Sequence, residues 1–216
     1  WEKKALPRLS QTLHISVARD EAFCFLYEDN LRYLREIGAK LMFFSPLRDE
    51  RLPKPTEALL FPGGYPELYA KRLSGNTRML GAVRKALEEG VYVLAECGGF
   101  LYLTRELFDP QGHGYPMVGW LSARAFWTEK LQRFGYVELV PKEEGTTARG
   151  HEFHYYDTTD NGGDFTAKKP YRDVSWSCMH ASLRGLAGFP HLYYYSSPDF
   201  LAGRLEAFIL ARQRAG

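Results

Sequence analysis

Val91-Tyr92-Val93-Leu94-Ala95-Glu96-Cys97-Gly98-Gly99-Phe100-Leu101-Tyr102-Leu103 is the stretch that decides the fold of this 216-residue chain. Its first half is an apolar run with the length and β-branched content of a buried strand. It turns at Glu96-Cys97-Gly98-Gly99 and continues with helix-compatible spacing through Leu101, Leu103 and Leu107. A small nucleophile on a strand-to-helix turn, flanked by glycine, is the logic of the nucleophile elbow. The turn lifts the sulfur out of the sheet, and the following N–H groups face a developing negative charge. The same helix end predicts a lowered thiol pKa. The bland alternative is a small buried hydrophobe at the end of a core strand. Gly98-Gly99, and a second glycine pair upstream, favour the nucleophile.

That second pair lies in Phe61-Pro62-Gly63-Gly64-Tyr65-Pro66-Glu67, directly after the short apolar run Ala58-Leu59-Leu60-Phe61. Glycines at the carboxyl end of a parallel strand let a backbone N–H face a ligand without side-chain obstruction. Further out, Leu13–Ala18 reads as a first strand. Asp29 and Asn30 read as caps of a helix carrying Leu31, Leu34 and Ile37, stopped by Gly38. Lys40–Phe44 is a second strand, Glu67 to Leu73 looks helical, and Asn76 caps an amphipathic helix with Met79, Leu80, Val83 and Leu87 on one face and Gly90 as its stop. Strands alternating with helices over short connections predict a doubly wound parallel sheet, with Gly63-Gly64 and Cys97 at the same strand ends.

Composition narrows the partners. Net charge is +2 with no basic run, which argues against nucleic acid. No apolar run approaches the roughly 20 residues of a membrane span, and no secretory signal precedes the first strand. Three cysteines, Cys24, Cys97 and Cys178, are too sparse for a disulfide framework and suggest a reducing cytoplasm.

After Phe108 the pattern becomes aromatic and glycine-punctuated, as in antiparallel hairpins, notably Phe134–Val140 and Gly150 to Tyr156, with a turn from Asp157 to Asp164. Gly188 to Tyr195 is strand-like, and Ser197-Pro198-Asp199 starts a last helix with Phe200, Leu201, Leu205, Phe208 and Ile209 on its apolar face. A cysteine nucleophile needs a base. His14 reads as structural and His113 as solvated. His151 and His154 lie in a strand-like segment, where residues three apart point to opposite faces, so no metal site is expected. His191, beside the last strand–helix unit, remains as the base.

Four segments in this order, Phe61–Glu67, Ala95-Glu96-Cys97-Gly98-Gly99-Phe100, Gly150-His151-Glu152-Phe153-His154-Tyr155 and Pro190-His191-Leu192-Tyr193, resemble the glutamine amidotransferase domain of the cobyrinic acid a,c-diamide synthases. The resemblance runs from about His14 to the C-terminus. It implies an α/β, Rossmann-like class I amidotransferase fold, a mostly parallel sheet flanked by helices with added antiparallel strands. Residues 13–216 form that domain, with 1–12 a tail or linker from an upstream ATP-dependent domain. It implies Cys97 as nucleophile, His191 as base, and the N–H groups of Gly64 and Gly98 as oxyanion donors. Gly63, Tyr65 and Glu152 are candidates for the glutamine pocket or for orienting His191. Glutamine is the implied substrate, and a corrin-type macrocycle the ammonia acceptor. No cofactor is expected in this domain, while ATP and Mg belong to the synthetase part. No P-loop pattern occurs in the chain, and it opens on Trp1, so that part is expected outside it, as a longer chain or a separate subunit.

Three departures from the wider superfamily stand out. Ala95 replaces the first glycine of the elbow, Leu101 stands where many relatives have glutamine, and Tyr193 stands where the triad usually has glutamate. The corrin-amidating branch shares the lack of that glutamate, which leaves the orienter of His191 unnamed. A free-standing thiol hydrolase, or a docking module that has lost catalysis, are the competing readings.

Overall fold

The computed structural model describes residues 5–215. Its strands are β1 (Leu13–Ala18), β2 (Ala39–Phe44), β3 (Ala58–Phe61), β4 (Tyr92–Glu96), β5 (Glu106–Phe108), β6 (Gly114–Pro116), β7 (Arg124–Trp127), β8 (Arg133–Pro141), β9 (Ala148–His154), β10 (Tyr156–Thr158), β11 (Phe165–Lys168), β12 (Ser175–Cys178), β13 (His180–Ser182), β14 (Gly185–Gly188) and β15 (His191–Leu192). The α-helices are α1 (Glu28–Glu36), α2 (Ala70–Gly75), α3 (Thr77–Glu88), α4 (Gly98–Leu103) and α5 (Pro198–Ala215).

The central sheet has the order β13-β14-β4-β3-β1-β2, parallel except for the β13–β14 edge pair. This is the doubly wound arrangement expected from the alternating pattern. Its middle strands are buried on both faces. Leu60 and Leu94 join one core with α1 and α5, while Leu59, Val93 and Ala95 join the other with α3 and α4. That two-sided burial is why these strands read as continuous apolar runs.

A five-stranded sheet, β12-β11-β8-β9-β15, is antiparallel throughout and packs its Val137, Leu139 and Phe165 into the first core. A smaller sheet runs β10-β7-β5-β6. The hairpins read from the second half are therefore present. The helix after the elbow is shorter than its spacing suggests. It ends at Leu103, Thr104 takes an extended conformation, and Leu107 lies on β5 instead. The helix read from Glu67 to Leu73 is split into a 3₁₀ turn, Pro66–Tyr69, and α2. The single strand read over Gly188 to Tyr195 is also split: β14 ends at Gly188, the chain crosses at Phe189-Pro190, and β15 belongs to the other sheet.

Asp29 and Asn30 do not cap α1. The cap position is Tyr27, without a side-chain bond. Asn30 is buried and turned inward, as described below. Asn76 does cap α3, accepting the Met79 N–H at 3.3 Å, and its amide donates to the carbonyls of Pro46 and Asp49 at 2.9 and 2.8 Å. One side chain thus caps a helix and ties down the proline-rich loop. We expect Asn76→Ala to lower unfolding free energy by about 1–2 kcal/mol, read as a reduced denaturation midpoint at unchanged m-value.

Candidate active site

Cys97 has φ 48° and ψ −106°, between the end of β4 and the start of α4. A non-glycine residue in that region costs of order 1–3 kcal/mol and persists only when its surroundings impose it. Here they do. The Cys97 N–H donates to the Gly188 carbonyl at 2.8 Å, and its own carbonyl accepts the Leu101 N–H at 3.0 Å. A Cβ on Gly99 would overlap the Phe61 carbonyl, so only glycine lets α4 start so close to β3. A Cβ on Gly98 would lie 2.7 Å from Cδ of Pro66 and 3.0 Å from the Gly64 nitrogen. The two glycine pairs are therefore packed backbone to backbone.

His191 reaches the same point from the other side. The strand order β14-β4-β3 puts Cys97 between the ends of β14 and β3. The chain leaves β14 at Gly188, and three residues later the His191 ring lies against Gly63, where a Cβ would overlap its Cε1. The imidazole thus lies beside the glycine pair that follows β3, the same pair that packs on the elbow. His191 and Cys97 are both buried. The Phe25 ring packs near His191, with centroids 6.1 Å apart, and on Tyr65 at 5.0 Å. The loop carrying Phe25 is pinned to the glycine pair by Phe25 N–H to Gly63 O and Tyr65 N–H to Ala22 O, each 3.0 Å.

The backbone of β15 is gripped on both edges. One edge pairs with β9, placing His191 opposite His151. On the other, the Leu192 N–H donates to Glu96, the residue before the cysteine. The Tyr194 hydroxyl donates to the same carboxyl group at 3.2 Å. Asn30 completes the grip: its Nδ2 donates to the Leu192 carbonyl at 2.8 Å and its Oδ1 accepts the Tyr194 N–H at 3.0 Å. These are buried bonds, where a lost partner leaves a costly unpaired group.

Electrostatics corrects one expectation. The thiol is not acidified. Burial pushes the Cys97 pKa well up, the neighbouring Glu67 adds to the rise, and the Gly98 N–H on the sulfur opposes it without winning. The elbow's N–H favours thiolate, as the sequence implies, but the sequence does not show how dry the sulfur is. His191 is shifted the other way, down to about 3, by burial first and then by His151 and His154. The two buried groups therefore rest as a neutral imidazole and a protonated thiol. Glu67, which sequence reading did not single out, is raised by burial to about 7.

Glu152, a candidate orienter, is turned away from His191. Its carboxylate accepts Trp176 Nε1 at 3.2 Å and lies 3.0 Å from Nε2 of His154. His154 Nδ1 donates to the Tyr156 carbonyl at 2.6 Å, and its ring stacks on Phe189 at 3.8 Å. His151, on the opposite face of β9, instead stacks on His191. The strand reading separated the two histidines correctly, but β15, which gives His151 its importance, was not visible as a separate strand. His14 is held by Glu57 at 3.0 Å, and His113 is exposed beside Asp109.

Burial raises the Glu96 pKa to about 8, against the opposing bonds from Leu192 and Tyr194. A carboxyl whose folded pKa is raised contributes stability that is full below its unfolded value, near 4.5, and is lost as pH rises through about 8. Glu96→Gln keeps an acceptor for Leu192 and Tyr194 and has no proton to lose. Thermal denaturation across pH 5–8 should therefore show E96Q gaining on the parent as pH rises; parallel curves would contradict this.

Comparison with known proteins identifies the family and the fold. A profile of the CobB/CobQ-like glutamine amidotransferase domain matches residues 14–176. A protein of Caldanaerobacter subterraneus subsp. tengcongensis, named cobyrinate a,c-diamide synthase, is 41% identical over 203 residues, covering 90% of this chain and 45% of its own length. One of the same name from Fusobacterium nucleatum subsp. nucleatum is 38% identical, covering 87% of this chain and 43% of its own. The chain thus spans a little under half the length of these relatives. Among solved structures, one titled "Structure of PurLQS from Thermotoga maritima" superposes with a TM-score of 0.61 at 15% identity, over 92% of this chain and 98% of that one, a likeness of fold. Elbow, sheet order and sequence converge: the chain belongs to the CobB/CobQ-like glutamine amidotransferase family, with the class I amidotransferase fold.

Proposed function

We propose that this chain is the glutaminase part of a cobyrinate, or related tetrapyrrole, a,c-diamide synthase. It hydrolyses glutamine through a Cys97 thioester and supplies ammonia for amidating side-chain carboxylates in cobalamin biosynthesis. The observation that supports the reading is the strained backbone of Cys97 at a strand-to-helix turn, packed on the same Gly63-Gly64 pair that the buried, neutral His191 ring meets.

Each residue has a task. Glutamine enters with its carboxamide oxygen toward the N–H groups of Gly64 and Gly98. His191 takes the thiol proton as Cys97 Sγ attacks the carboxamide carbon. This transfer is needed because burial keeps the resting thiol protonated. The tetrahedral oxyanion receives both backbone N–H groups, fixed donors that need no reorganisation. His191 returns the proton to the leaving ammonia, and a glutamyl thioester remains. Water, losing a proton to His191, attacks the thioester carbonyl; the C–S bond breaks, glutamate leaves, and His191 returns the proton to the Cys97 sulfur. Gly63 serves by its lack of a side chain, because anything larger would displace the His191 ring. Tyr65, exposed beside Phe25, stands at the edge of the glutamine pocket.

The ammonia acceptor lies elsewhere. The relatives carry more than half of their length outside the matched stretch. That share accommodates an ATP- and Mg-dependent synthetase part that activates a carboxylate of the corrin as an acyl phosphate. On this reading residues 1–12 lead from that part, and the protein works in the cytoplasm. Among the described residues no helix is long and apolar enough to cross a membrane.

The test is labelling with 6-diazo-5-oxo-norleucine, read by peptide mass spectrometry, with and without excess glutamine. Adduct on Cys97 that glutamine suppresses is the expected result, and Cys97→Ala should abolish both adduct and glutaminase activity with the fold intact. Glutamine hydrolysis that survives Cys97→Ala would overturn the assignment.

A further inference from the structure

The Gly150-His151-Glu152-Phe153-His154-Tyr155 segment has no task in the reaction as written, and His191 has no visible orienter. Its Nδ1 is buried with no hydrogen-bond partner among the described residues. Tyr193, two residues on, is half-exposed and bonds Asp29 at 3.2 Å. Yet the ring is not loose: its Cε1 edge meets Gly63, and one face meets His151. The two imidazoles are stacked, with centroids 4.9 Å apart and planes 21° from parallel.

The stack is built into the backbone. His151 and His191 are register partners in antiparallel strands, so their side chains leave the same face. Gly150 permits the approach, since a Cβ there would overlap the His191 carbonyl. His151 is itself braced: Nε2 lies 2.6 Å from the Tyr27 hydroxyl, at the entrance to α1. Burial, with Glu96 and Cys97 nearby, raises the Tyr27 pKa, and burial lowers that of His151. The tyrosine therefore keeps its proton to donate, and the imidazole stays neutral to accept it. Behind the crossing, His154 stacks on Phe189 and is fixed by Glu152. The segment thus braces residues 188–191 from two sides.

We propose that His151 is the positioning residue of this site, its ring stacked on His191 and anchored by Tyr27, holding by packing what a triad carboxylate holds by a hydrogen bond. This rests on His191 being the base. A stacked ring fixes the plane of its neighbour without engaging its nitrogens, which leaves them for proton transfer.

The experiment compares His151→Ala, His151→Phe, Tyr27→Phe and His191→Ala in the intact protein. It measures glutamine turnover, iodoacetamide alkylation of Cys97, and the His191 imidazole signals in long-range ¹H–¹⁵N spectra. H151A should lower kcat about tenfold or more, leave KM for glutamine within twofold, leave alkylation unchanged, and spread the His191 signals over more than one ring orientation. H151F keeps a flat ring at the same place and should recover most of kcat and a single set of signals. Y27F should fall between. Equal losses in H151A and H151F, or full kcat in H151A, overturn the proposal. If H151A does not fold, H151F decides: near-parental kcat with one His191 orientation supports it, and heterogeneous signals overturn it. Activity remaining in H191A would instead refute His191 as base, a separate failure.

Discussion

The close approach of two backbones at Gly98-Gly99 and Gly63-Gly64 governs this molecule. α4 starts against the carbonyl of Phe61, nearer than any side chain allows, and this forces the chain to turn sharply at Cys97. The cysteine's left-handed backbone is the result. Its cost is met by bonds to Gly188 and Leu101 and by a two-faced apolar core around β4. The strands on either side flank the elbow: β3 leads into the Gly63-Gly64 pair that packs on Gly98, and β14 into the segment that carries His191. A larger residue at Gly99 would push α4 away, and the N–H on the sulfur would move with it.

Around that contact the fold places an unusual amount of buried polarity. Asn30, Glu96, Glu152, His154 and His191 are all buried. Most are bonded to backbone, and they act on one short segment. Asn30 and Glu96 hold the outer edge of β15, β9 holds the inner edge, and His154 packs on Phe189 just before it. The one buried nitrogen left without a bond on this segment is Nδ1 of His191. Burial keeps both this imidazole and the thiol uncharged at rest, with a nitrogen of the imidazole free to accept a proton.

Much of this was legible in the residues, for physical reasons. Parallel strands buried on both faces leave apolar runs, and glycine pairs mark where backbones must touch, so the sheet, the elbow and the Gly63-Gly64 turn could all be read. What escaped were features set by tertiary partners. Asn30 carries the signature of a helix cap but spends its amide on Leu192 and Tyr194, because a buried strand edge needs it more. Leu107 continues a helical spacing that ends early in a strand. Burial of Cys97 reversed the pKa expected from its position at a helix start. His151 reads as one of two histidines on opposite faces of a strand; its partner is another histidine ring, brought opposite by a two-residue strand too short to announce itself.

The crossing at Phe189-Pro190 has a mechanical meaning. Cys97 rides on the parallel sheet and His191 on the antiparallel one. The distance between thiol and imidazole is therefore a measure of how the two layers are seated, and it is not fixed within either. A slide of one layer past the other by the width of a single hydrogen bond would move the imidazole relative to the elbow while leaving both sheets internally intact. The Asn30 and Glu96 bonds to Leu192 and Tyr194 span that seam, so they work as its rivets.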